Sequence, residues 1–130
     1  MVPFLGEEWC ALFVAEAGTL PPVPGATAVN ETTYRSADGS TTAVTYRIVD
    51  GRIVSAAPGR DPDADLRSDV PTEAYAAYCG GDADPMMRAV LNGEVRTTGD
   101  FDKAEIIQAV WTTEQFAAVL KRVHDRTKYA

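Results

Sequence analysis

The feature that constrains this chain most is a change of periodicity at Pro71. From Thr27 to Val70 apolar and polar residues alternate, as in Val44-Thr-Tyr-Arg-Ile48, whereas after Pro71 apolar residues recur every three or four positions. A period of two puts neighbours on opposite faces of a strand, and a longer period gathers them on one side of a helix. Strands first and helices later predict an α+β fold, a five-stranded and mainly antiparallel sheet with helices packed on one face.

The β region is punctuated by Asp38-Gly39 and Asp50-Gly51, dipeptides suited to tight hairpins because both residues tolerate positive φ. Within it, Ala43 to Val49 shows Val44, Tyr46 and Ile48 to one face and Thr45, Arg47 and Val49 to the other, and Arg52 to Ala57 follows the second turn. Pro58 to Pro62 interrupts the pattern, and Asp65 to Val70 alternates again as a fourth strand. Ahead of the sheet, Leu5, Trp9, Leu12 and Phe13 mark a helix over 5–17, and Thr19 to Gly25, with its prolines, is a stiff connector. After Pro71 we expect a helix to Cys79 and a second opened by Asp84-Pro85 and closed by Asn92-Gly93. A fifth strand over Glu94 to Thr98, a helix opened by Gly99-Asp100 and a last helix over 113–126 complete the chain, with Thr112 and Gln115 at capping-box spacing. At 130 residues without internal repeats, 1–130 reads as a single domain.

Charge narrows the function. With 19 acids against 12 bases the net charge is -7, so nucleic acid is excluded as a partner and membrane contact is transient at most. The apolar run Trp9 to Ala15 falls short of the roughly 20 residues of a membrane span, and no basic leader precedes it. Cys10 and Cys79 form neither a disulfide framework nor a zinc spacing, which suits a cytoplasmic setting. Asp61, Asp63 and Asp65 begin like a calcium loop, but Leu66 and Thr72 stand where its glycine and bidentate glutamate belong. The sole histidine, His124, sits among Lys121, Arg122, Arg126 and Lys128 without a triad and reads as a solvated surface residue, while those bases complement a helix C-terminus. No metal, cofactor or catalytic set is expected.

The helices carry more large apolar side chains than one sheet face can bury, which predicts a gap for an apolar ligand. Its expected wall takes Met86, Met87 and Val90 from one helix, Ile106, Ile107 and Trp111 from the next, and Phe116 and Leu120 from the last. Adjacent methionines suit a wall that reshapes around its guest. Two other readings stay open: an accessory or dimerisation module that fills the gap with its own side chains, and a small lipid- or steroid-modifying enzyme using Asp100 or Glu105.

Several motifs resemble the sterol carrier protein type 2 family. They are the Val49-Asp-Gly-Arg-Ile-Val54 hairpin, Asp61-Pro-Asp-Ala-Asp65 before an alternating strand, the Asp84-Pro85 helix, and Leu91-Asn-Gly-Glu-Val-Arg-Thr-Thr-Gly-Asp100 followed by Ala104 and Ile107-Gln108. The likeness spans about residues 27–111, and the N-terminal helix with its Leu20 to Gly25 connector is similar to those of short bacterial members. It implies helices over a sheet around an apolar tunnel for sterols, fatty acids or fatty acyl-CoA, and carriage rather than chemistry. It also implies that Gln108 meets the polar end of the guest, with Ile107 in place of the family's leucine. Lys128-Tyr129-Ala130 differs from the peroxisomal Ser-Lys-Leu ending, which favours the cytoplasm. The stripe Phe116, Val119, Leu120 and Val123 is expected to fill or lid the tunnel, with Thr112-Thr113 as hinge.

Overall fold

Alternation along the strand Thr41–Val49 decides which side of the sheet is covered: Val44, Tyr46 and Ile48 are buried, while Arg47 and Val49 face solvent. The computed structural model describes residues 1–129. In chain order the elements are β1 (Val2–Pro3), α1 (Glu7–Ala17), β2 (Ala28–Arg35), β3 (Thr41–Val49), β4 (Arg52–Pro58), β5 (Leu66–Pro71), α2 (Thr72–Cys79), α3 (Asp84–Leu91), β6 (Arg96–Gly99), α4 (Phe101–Trp111), α5 (Glu114–His124) and β7 (Thr127–Lys128). The main sheet runs β4-β3-β2-β5-β6, with β2 parallel to β5 and the other neighbours antiparallel. The fold is therefore α+β with a five-stranded, mainly antiparallel sheet, as periodicity predicts.

Asp50 and Gly51 both take positive φ, 51° and 80°, the pair of conformations that a tight right-twisted hairpin requires. The proline-rich connector is strapped across this turn, since Val23 N donates to Asp50 O at 2.7 Å and Gly25 N to Asp50 Oδ1 at 3.0 Å. A Cβ on Gly51 would come within 2.7 Å of Val23, so both the turn and the strap demand glycine. Between β3 and β4 the register shifts beyond Ile48, leaving Val54 as the unpaired residue of a bulge.

The core lies between α1, α5 and the β3–β4 side of the sheet. Trp9 stacks on Phe13 at 5.3 Å, and Phe13 meets Tyr46 at 5.6 Å and Phe116 at 5.9 Å. Val119, Leu120 and Val123 of α5 are fully buried in this cluster. Cys10 and Cys79 are free and buried, and burial pushes their thiols up to about 11 and about 12; for Cys10 the nearby Glu7 adds to the effect.

Several expectations shift. The first helix starts at Glu7, and Leu5, at φ 64°, lies buried outside it. The third helix begins at Asp84 itself, after Ala83. The fifth strand covers Arg96–Gly99. The last helix is capped by Thr113, whose hydroxyl accepts from Phe116 N at 3.1 Å, because Thr112 is still closing α4 through a 2.7 Å bond to Gln108 O. That helix stops at His124, and Thr127–Lys128 pairs in parallel with Val2–Pro3, a ladder too short for periodicity to reveal. His124 is half-buried rather than solvated, with Nδ1 2.6 Å from Tyr129 Oη and the ring against Gly80. The basic segment clamps α5: Arg122 Nε lies 2.7 Å from Glu16 Oε2, and Lys121 Nζ lies 2.6 Å from Asp125 Oδ1. Among the described residues no helix is long and apolar enough to cross a membrane.

Candidate functional site

Asp65 fixes the geometry of the other side of the sheet. Its Oδ2 accepts from Val29 N at 2.8 Å, its Oδ1 from Lys103 Nζ at 3.1 Å, and its carbonyl from Asp100 N at 3.0 Å. The Val29 amide, aided by Lys103, holds this carboxyl below its ordinary value. One residue thereby joins β2, the start of β5 and the start of α4. Gly99 completes the corner at φ 113°, where a Cβ would run into the Asp65 carbonyl oxygen. Asp100 then caps α4 by accepting from Asp102 N at 3.1 Å and Lys103 N at 3.4 Å.

Thus anchored, α4 crosses the inner face without filling the space beneath it. A cleft of about 380 Å³ remains, in the range of small-molecule sites. Its walls come from Tyr75 and Tyr78 of α2, Met86 and Val90 of α3, Val95, and Ala104, Ile107, Gln108 and Trp111 of α4, with Phe116 of α5 and Thr112 completing them. Asn30, Leu66, Ser68 and Thr97 form the floor. A second recess of about 200 Å³ shares Ser68, Tyr75, Tyr78, Met86, Thr97 and Trp111 and reaches Thr32, Tyr34 and Val70. Among the described residues, none lining either space is charged. Both are open to solvent, so the expected enclosure takes the form of a cleft rather than a sealed tunnel.

The polar atoms here follow a pattern. Asn30 Nδ2 donates to Thr32 Oγ1 at 3.2 Å, Ser68 Oγ donates to Asn30 Oδ1 at 3.4 Å, and the Ser68 and Thr97 hydroxyls are 3.4 Å apart. Deeper, Tyr34 and Tyr46 share a 2.6 Å hydroxyl contact, and burial drives both phenols upward. Trp111 stacks on Phe116 at 5.7 Å and stands edge-on to Tyr46 at 5.5 Å. Its Nε1 is the one buried side-chain polar atom without a hydrogen-bond partner among the described residues.

Six of the expected site residues meet here: Met86, Val90, Ile107, Gln108, Trp111 and Phe116. Three do not. Met87 is 61% exposed, since one step along a helix turns the side chain by about 100°. Ile106 is rotated off the cleft in the same way beside Ile107. Leu120 belongs to the packed core one turn beyond Phe116. Phe116 ends the cleft rather than lidding it, and the Thr112-Thr113 joint is tied back by hydroxyl bonds to Gln108 O and Val110 O. Sequence reasoning missed the floor. Its signal is the polar pair Asn30 and Thr32 at inward positions of β2, where alternation calls for apolar residues. A larger cleft, about 520 Å³, is walled by Arg35, Asp69, Glu73 and Arg96 and gives an apolar guest little to bury.

No family model matches the sequence, and no curated protein is similar to it. Solved structures are similar in fold: a crystal structure of sterol carrier protein 2 matches with a TM-score of 0.63 at 15% identity, covering 93% of this chain and 96% of that one. The chain has the sterol carrier protein 2 fold. The sterol carrier protein 2-like 2 structure from Aedes aegypti matches at 0.61 with 17% identity, over 82% of this chain and 94% of its own. A conserved hypothetical protein of Thermus thermophilus, described as possibly a sterol carrier protein, matches at 0.60 with 14% identity over 95% and 91%. At such identities the shared property is the sterol carrier protein 2 fold.

Proposed function

We propose that the chain is a non-enzymatic carrier that holds an apolar guest, a sterol-like molecule or the acyl part of a fatty acid or fatty acyl-CoA, in the cleft between β5, β6 and helices α2 to α4. The observation that carries this reading is the uncharged cleft of about 380 Å³ walled by Met86, Val90, Ile107 and Trp111. The shared fold supports it, including the solution structure of a palmitated sterol carrier protein 2-like 2 from Aedes aegypti, with a TM-score of 0.56 and 17% identity. Burying about ten methylenes at roughly 0.8 kcal/mol each gives on the order of 8 kcal/mol before ordering costs, a micromolar scale that needs little polar recognition. Asp100 is occupied as a helix cap and Glu105 does not line the cleft, so neither serves chemistry inside it. Buried, unpaired thiols fit a cytoplasmic setting.

The test is native mass spectrometry of the purified protein, followed by titration of the delipidated form with long-chain ligands. Trp111 emission responds while Trp9, sealed in the core, stays constant. Met86→Trp fills the cleft and abolishes uptake with an unchanged circular dichroism spectrum. Wild-type affinity in that variant, or no saturable binding by the wild type, overturns the proposal.

A further inference from the structure

The floor of the cleft is not what a container for hydrocarbon alone requires. Strand register sets Thr32, Ser68 and Thr97 abreast across β2, β5 and β6, with Asn30 two residues along β2. Their mutual bonds of 3.2 to 3.4 Å leave capacity unused: Asn30 keeps an N–H, and each hydroxyl keeps an acceptor site. Laid against methylenes, these groups lose water and gain no partner, which disfavours a guest that puts only hydrocarbon on the floor.

An ionised head is also a poor fit there. Among the described residues, the lining of both recesses includes no lysine, arginine or histidine, so an anion carried to the floor is desolvated without a counter-charge. An uncharged oxygen meets neither obstacle, because the spare Asn30 N–H donates to it and the hydroxyls accept from it. The Trp111 indole, buried on the helix wall with no acceptor for its N–H, adds to the demand for oxygen on the guest. Gln108 stands apart from this group, exposed at the mouth on α4.

We propose that the cleft selects neutral lipids bearing a hydroxyl or carbonyl oxygen, taken in head first with that oxygen on the Asn30–Ser68–Thr97 floor, over ionised fatty acids of the same chain length. This rests on the cleft being the lipid site.

The experiment compares cetyl alcohol, palmitate and hexadecane with the delipidated full chain at about pH 8, where a carboxylic acid is ionised. Cetyl alcohol is expected to bind about tenfold more tightly than palmitate, and in Ser68→Ala/Thr97→Val the difference shrinks to about twofold. Glu105→Gln, exposed on α4 and outside the cleft lining, keeps the wild-type preference. Equal affinities in the wild type, a preference untouched by the floor variant, or one abolished by Glu105→Gln each overturn this inference while leaving the cleft as a lipid site. Failure of all three ligands to bind removes the carrier reading itself. Where circular dichroism shows the double variant unfolded, Thr97→Val alone, on the exposed edge strand β6, replaces it, with the preference again expected to fall.

Discussion

The two halves of the inner sheet face are built from the same kind of strand and end in different states. Over β3 and β4 the inward residues Val44, Tyr46, Ile48 and Ile53 are apolar, and Trp9, Phe13 and Leu120 bury them completely. Over β5 and β6 the inward residues are mixed, Ser68 and Thr97 standing beside Leu66 and Val70, and α4 stands off them at an anchor set by Asp65. The first half shows how close packing converts area into stability; the second shows that an anchored helix can hold a space open when its packing does not close it. Stability and binding are therefore expected to separate along the sheet.

The strongest challenge to that separation is Phe13→Ala. Fully buried against Trp9, Tyr46 and Phe116, Phe13 should cost about 3–5 kcal/mol when truncated, read by urea denaturation. A loss under about 1 kcal/mol would show that the first half is not the stabilising one. Next comes the anchor: Asp65→Ala removes acceptors for Val29 N and Lys103 Nζ, and a loss of about 1–2 kcal/mol is expected. Because the folded Asp65 carboxyl lies below its ordinary 3.8, its contribution is complete above that value and disappears as pH falls through the lower folded value. A pH titration of stability should accordingly be flatter in Asp65→Ala below about pH 4.

Met86→Ala faces open space and should cost about 1 kcal/mol or less, while weakening uptake of an acyl guest. A large stability loss there would mean that the second half is packed after all. The smallest effect is expected from Leu91→Gln, at a residue 82% exposed, which should leave the melting temperature within about 2 °C. In all these variants Cys79 should resist thiol reagents at neutral pH, its thiol being pushed up to about 12 by burial.

Legibility followed the same divide. Val44, Tyr46 and Ile48 announce their face because alternation is the direct imprint of a half-buried strand, and the stripe Phe116, Val119, Leu120 and Val123 announces the helix that joins them. The cleft was legible only through amounts, an excess of large side chains on helices, which names five of its wall residues but also Met87, Ile106 and Leu120. Helix phase separates these groups, and a periodic stripe does not fix it to within one residue. The floor was hidden for another reason: Asn30, Ser68 and Thr97 are brought together by three strands whose register sequence alone does not supply. Asp65 carried the appearance of a metal loop, and only the fold shows it tied to Val29 and Lys103.

The parallel ladder between β2 and β5 is the seam of the molecule. Every other neighbouring pair in the main sheet is antiparallel, and β3 and β4 form in one continuous stretch beside β2, while β5 arrives only after that hairpin is complete. A seam whose partners are distant along the chain closes late in folding and divides cooperative units in the native state. Amide hydrogens of β6 and α4 should then exchange together and sooner than those of β3, so that the hollow side breathes as one leaf hinged on β2 while the filled side stays shut.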